Sequence, residues 1–171
     1  MAMSEGQAPT IDRSIYVMPM FTTLVVQSLA ASEAFFHQVG FITLATIPGP
    51  GGAAQLVHLR RMRNQDILLT EGSPVPGSMS ITLAAGGVDL AELAARVAAG
   101  PAKGVNVEGP IDTPWFTTDV RIVDADGNRI IVTGPRMADF PAAADWVQEN
   151  ISGDFDTPED FNPSQWQGPP D

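Results

Sequence analysis

The sequence predicts an α+β fold built from two βαβββ modules. Three observations carry that prediction. A strand–helix–strand–strand–strand order is legible twice, in residues 14–71 and again in 78–135. Apolar residues alternate with polar ones along most strands, so each strand has one apolar face for a helix and one mixed face. A short proline-rich linker, GSPVPGS (Gly72–Ser78), divides the halves. The two halves differ in letters, so the repeat is one of architecture. Two such units form sheets that face each other or share a cup-shaped mixed β-sheet.

The first module opens with a strand around Tyr16–Val26. Ser28 is the expected N-cap of the helix LAASEAFFHQV, and Gly40 stands at C′, where a left-handed residue ends a helix. Leu29, Phe35, Phe36 and Val39 share its apolar face. The strands FITLATI, AQLVHLRRM and QDILLTEG follow, separated by the loop PGPGGA and a turn at Arg63–Asn64. In the second module, SMSITLAAG is a strand. VDLAELAARVAAG is a helix, with Asp89 near its start and Gly100 after its end. GVNVEGP, WFTTDVRIVD and NRIIVTGP are strands. Asp126, Gly127 and Asn128 suit a two-residue hairpin turn between the last two. Residues 14–136 are read as a single domain. ADFPAAADWVQEN then forms an extra C-terminal helix within 137–151, with Asp139 as N-cap and Pro141 in its first turn. Residues 152–171 form an acidic tail.

Charge and composition exclude several function classes. The chain of 171 residues has a net charge of −11 and no cysteine, which removes disulfides, thiolate metal sites and thiol nucleophiles. Residues 139–171 hold eight acids and no Lys or Arg, while the remainder is nearly balanced. No basic stripe exists to meet phosphates, so a nucleic-acid partner is excluded. The opening MAMSEGQAPTID lacks the basic start and apolar core of a secretory signal, and no stretch is apolar enough to span a bilayer. No membrane partner and a cytoplasmic location are therefore expected. The tail segment FDTPEDFNPSQW interleaves aromatics with acids, which also fits a protein-docking element.

Alternation sorts the strand faces. Met79, Ile81 and Leu83 oppose Ser78, Ser80 and Thr82; Ile67 and Leu69 oppose Asp66, Leu68 and Thr70. Thr118, Val120 and Ile122 oppose Thr117, Asp119 and Arg121; Ile130 and Val132 oppose Arg129, Ile131 and Thr133. If the sheets curl, the mixed faces line a cavity.

Two stretches resemble a known family. LVVQSLAASEAFFHQVGF (Leu24–Phe41) is similar to the first strand–helix signature of the vicinal oxygen chelate superfamily, with Ser28 where an Asp is usual. WFTTDVRIVDADGNRIIVTGP (Trp115–Pro135) resembles its closing hairpin, usually D-P-D-G-N followed by I-E-L. That superfamily includes glyoxalase I, extradiol dioxygenases, and fosfomycin- and bleomycin-resistance proteins. The resemblance implies a cup made by two modules, commonly in a homodimer. It also implies a divalent metal held by four strand residues in the superfamily's enzymes. Carried over residue by residue, those positions fall at Phe21, Leu68, Ser78 (or Met79) and Ile131. Three hydrocarbons and a hydroxyl cannot hold a cation. Of the two histidines, His37 lies on the helix away from these positions, and His58 shares the cup-side parity. Glu71 has the wrong parity.

The metal-free members resemble drug-sequestering, bleomycin-resistance-like proteins. The expected function is therefore a metal-independent, cofactor-free binding protein for a hydrophobic or aromatic natural product or antibiotic, of the self-resistance type. Phe21 and Trp115 supply flat faces, while Leu68 and Ile131 supply apolar floor. Thr23, Thr70, Ser78, Ser80, Thr117 and Thr133 supply neutral hydrogen bonds. Asp66 and Asp119 would meet a cationic group or pair with Arg121 and Arg129, and His58 lines the cup. The alternative is a metal-independent lyase, isomerase or cyclase of secondary metabolism, with Asp66, Asp119 or His58 as its acid or base.

Overall fold

A computed structural model describes residues 11–15, 18 and 20–153. The first module comprises β1 (Thr22–Val26), α1 (Leu29–Val39), β2 (Ile42–Pro48), β3 (Ala54–Arg60) and β4 (Asp66–Glu71). The second comprises β5 (Ser80–Ala84), α2 (Leu90–Ala98), β6 (Asn106–Asp112), β7 (Thr117–Val123) and β8 (Arg129–Pro135), and α3 (Phe140–Asn150) follows. The sheets run β1-β4-β3-β2 and β5-β8-β7-β6. In each, the first and last strands of the module pair in parallel and the other neighbours are antiparallel. The two sheets thus have the same topology, and the fold is α+β with two βαβββ units.

Local chemistry explains the helix ends. The Ser28 hydroxyl accepts from the Ala31 N–H at 3.2 Å, and Gly40 closes α1 at φ +108°. Asp89 caps α2 through one oxygen, accepting from the N–H groups of Ala91 and Glu92. Leu29, Phe35, Phe36 and Val39 are buried against the first sheet, and Leu93, Ala94 and Val97 do the same work on α2. These residues join Leu24, Leu69, Val120, Ile122, Ile130 and Val132 in one apolar core spanning both modules.

The modules meet through α1 and α2, with Arg96 Nε donating to the Gln38 carbonyl at 2.8 Å. Arg61 makes a second tie, donating from β3's end to the carbonyls of Ala84 and Ala85 at 2.8 and 2.9 Å. Burial, helped by the nearby Arg96 charge, lowers the Arg61 guanidinium to about 10. It is therefore still protonated at neutral pH.

Three details differ from the sequence expectation. The first strand begins only at Thr22, and Tyr16, Val17 and Pro19 lie outside the described residues. The β7–β8 hairpin is longer than a two-residue turn: Val123 pairs with Arg129, and only Gly127 of the three turn residues has a positive φ. Asp124 organises that loop, its Oδ1 accepting from the N–H groups of Asp126 and Asn128. α2 ends at Ala99 in right-handed geometry, with Gly100 after its end as expected. Asp139 stands at the N-cap position of α3 but makes no side-chain cap, because its carboxylate is taken by Arg136 Nε at 2.6 Å. Of the acidic tail, residues 154–171 lie outside the described residues.

Candidate functional site

Each sheet turns one face to its helix and leaves the other open. Parity sets which residues stand there: Val57, Leu59, Ile67 and Leu69 fill the core of the first module, so His58, Arg60, Asp66, Leu68 and Thr70 lie on its open face. β1 adds Thr23 and Val25, and Phe21, just before the strand, is 53% exposed. In the second module Val120, Ile122, Ile130 and Val132 are core. Thr117, Asp119, Arg121, Ile131 and Thr133 lie opposite, with Ser80 and Thr82 on β5. Trp115, before β7, is 57% exposed.

The open face of the first module is built around a buried ion pair. Arg60 Nε and Nη2 meet the two oxygens of Asp66 at 2.7 and 2.9 Å, and both side chains are fully occluded. His58 Nε2 lies 2.6 Å from Asp66 Oδ2, and among the described residues Nδ1 has no hydrogen-bond partner. Arg60 also holds the N-terminal arm, donating from Nη1 to the carbonyls of Asp12 and Ser14 at 2.9 and 2.7 Å. Asp66 is therefore neutralised from within its own hairpin and is not the ligand-facing carboxylate the sequence allowed. Arg121 and Arg129 are not its partners.

The open face of the second module is organised by hydroxyls. Asp119 Oδ1 accepts from Thr133 Oγ1 at 2.6 Å and Thr117 Oγ1 at 3.0 Å, and Thr113 Oγ1 lies 2.8 Å from Thr117 Oγ1. Arg129 reaches the Gly77 carbonyl instead, and among the described residues no ion pair joins Arg121 or Arg129 to Asp119. Beside this group Phe116 has φ +65°, an uncommon conformation for a bulky side chain. Its ring lies under the Arg136 guanidinium and edge-on to Trp146 of α3.

The metal positions can be placed by register. Leu68 stands beside Thr23 and Ile131 beside Thr82. Phe21 lies two residues before Thr23, so its counterpart in the second module is Ser80 rather than Ser78. The Ser78 hydroxyl is spent on the Val75 carbonyl at 2.7 Å. Phe21, Leu68, Ser80 and Ile131 do not fit a divalent metal, since only one carries a donor atom. Among the described residues no cluster of three His, Asp or Glu side chains offers a substitute. His37 is on the outside of α1, bonded to Thr43 Oγ1.

Two concavities stand out among the described residues. One of about 210 Å³ lies between the start of α1 and the β7–β8 loop, off both open faces. The other, about 160 Å³, runs from Thr23 and Val25 to Ser78 and Met79. Both are smaller than the several hundred Å³ of a typical drug-sized site.

Sequence reasoning placed the open-face residues but missed Arg60 and Thr113. Arg60 shares the parity of His58 and lies directly opposite Asp66 in the β3–β4 ladder, so hairpin register was the available signal. Thr113 precedes a loop and carries no local sign of its role.

No protein-family profile matches the sequence, and no curated protein matches it. Solved structures do. TnmS3, an antibiotic binding protein from Streptomyces sp. CB03234, is 28% identical over 71% of this chain and 98% of that one, with a TM-score of 0.53. A glyoxalase/bleomycin resistance protein from the same organism is 27% identical, over 66% and 96% of the respective chains, at 0.51. A bleomycin-binding protein complexed with bleomycin is 17% identical over 69% and 98%, at 0.53. No helix among the described residues is long and apolar enough to cross a membrane. With its paired βαβββ sheets and these structural neighbours, the chain carries the fold of the vicinal oxygen chelate superfamily.

Proposed function

We propose that the protein is a metal-independent binding protein that sequesters a hydrophobic or aromatic natural product or antibiotic in the cytoplasm, as in self-resistance. What carries this reading is that the positions where the resemblance implies metal ligands hold Phe21, Leu68, Ser80 and Ile131, beside exposed aromatic and neutral polar side chains. The similarity to antibiotic-binding structures supports it. In this reading the protein is a homodimer in which open faces of two copies enclose the ligand.

Chemically, Phe21 and Trp115 offer planar contact, Leu68 and Ile131 an apolar floor, and Thr23, Thr70, Ser80, Thr117 and Thr133 orienting hydrogen bonds. His58, fixed by Asp66, adds an imidazole ring to the first open face. Native mass spectrometry of the full chain, with divalent metals and a panel of aromatic and peptide antibiotics, tests the reading. A metal-free dimer holding a ligand of unchanged mass is expected; a tightly retained metal ion or a chemically altered ligand would overturn it.

One observation favours a second reading. The His58–Asp66 pair resembles an oriented general base, which suits a metal-independent lyase, isomerase or cyclase. In that case His58→Gln would abolish product formation while ligand was still bound.

A further inference from the structure

Among the described residues, Asp119 is the one carboxylate on either open face that is buried without an ion pair. It stands mid-strand on β7, opposite Thr133 on β8 and Ile111 on β6, and is only 5% exposed. Gly109 lets β6 come this close: a Cβ there would lie 2.6 Å from the Asp119 carbonyl oxygen. Both hydroxyl donors, from Thr117 and Thr133, converge on Oδ1. Oδ2 has no protein donor among the described residues, yet every fully occluded side-chain oxygen or nitrogen there has a partner. Oδ2 is therefore the oxygen that reaches the open face.

The nearby cations are committed or disengaged. Arg136 donates to the Thr113 and Thr117 carbonyls and to Asp139, and Arg129 donates to the Gly77 carbonyl. Arg121, next along the same face, makes no ion pair among the described residues. On the other module the equivalent problem is solved internally, since Arg60 covers both oxygens of Asp66. A carboxylate taken out of water favours a cationic donor over any other contact.

We infer that Asp119 Oδ2 is a subsite for a protonated amine or guanidinium group of the bound small molecule. The hydroxyls of Thr117 and Thr133 hold the carboxylate in position, and Arg121, two residues along the same face, makes no ion pair with it among the described residues. This names the ligand class of the site proposed above and rests on that reading.

The test is a pair of probes of matched shape, 1-naphthylmethylammonium and 1-naphthylmethanol, titrated into the full chain with backbone amide shifts as readout. The expected result is roughly tenfold tighter binding of the ammonium probe, the scale of one charge-assisted hydrogen bond. The largest shifts should fall at Thr117, Asp119 and Thr133, and Asp119→Asn should bring the two probes level. Equal affinities, shifts centred elsewhere, a preference surviving in Asp119→Asn, or no binding of either probe would overturn the subsite. The wild-type ratio is decisive even if the variant folds poorly. Loss of the amine preference with antibiotic capture intact removes the subsite alone. A preserved preference without capture removes the sequestration reading alone.

Discussion

The open faces of the two modules share a topology but handle a buried acid in opposite ways. On the first, Asp66 is locked by Arg60 and His58, and the same Arg60 pins the N-terminal arm through two carbonyls. On the second, Asp119 is held by threonine hydroxyls and keeps one oxygen for the surface. The first arrangement is structural: both carboxylate oxygens are used within the chain. The second is open, and a ligand can complete it. A repeated architecture thus lets two equivalent faces treat a buried acid differently.

The comparison is broken most directly at Arg60. Arg60→Met leaves Asp66 occluded without its cation, so stability should fall by about 3–5 kcal/mol in urea unfolding. Arg60→Met with Asp66→Leu should recover most of that loss, because both charges then go. Asp119→Asn on the other face should change stability by less than about 1 kcal/mol, since its hydroxyl donors still find an acceptor. Equal losses at both sites would erase the proposed distinction.

The next effect concerns how the second face is shaped. Gly109 has φ +111° and lies against the Asp119 backbone, so Gly109→Ala forces β6 away from β7. A loss of roughly 1–3 kcal/mol is expected, with amide shifts concentrated at Ile111 and Asp119. The helix caps sharpen the comparison further, because the modules agree there. Ser28→Ala and Asp89→Ala should each cost about 1 kcal/mol.

The smallest effect is a pH dependence in the β7–β8 loop. Burial raises the Asp124 carboxyl above its ordinary 3.8, against the lowering effect of hydrogen bonds from Asn128 and Asp126. The folded state then holds that proton more tightly than the unfolded chain. Its stabilising contribution is complete below 3.8 and is lost as pH rises through the higher folded value. Asp124→Asn should remove this acid-side gain, visible as a flatter stability profile just above that value.

The helix limits were legible because Ser28, Gly40 and Asp89 act on atoms within four residues of themselves. The open faces were legible because strand alternation is local, which is why Leu68, Ile131, Asp119 and Thr133 fall where parity put them. The role of Arg60 was not, since its contacts with Asp12 and Ser14 span 48 and 46 residues. The fate of Asp66 followed from that same missed arginine. The hairpin loop length was missed because Asp124, outside the three residues that announced a turn, joins the loop by accepting from the N–H groups of Asp126 and Asn128.

The central claim, capture without metal and without chemistry, is tested most directly by calorimetry of an antibiotic that the protein retains, run with and without excess EDTA, followed by mass analysis of the recovered ligand. The account predicts one affinity in both buffers and a ligand returned unchanged. Binding lost on chelation, or a ligand recovered at a different mass, would contradict it.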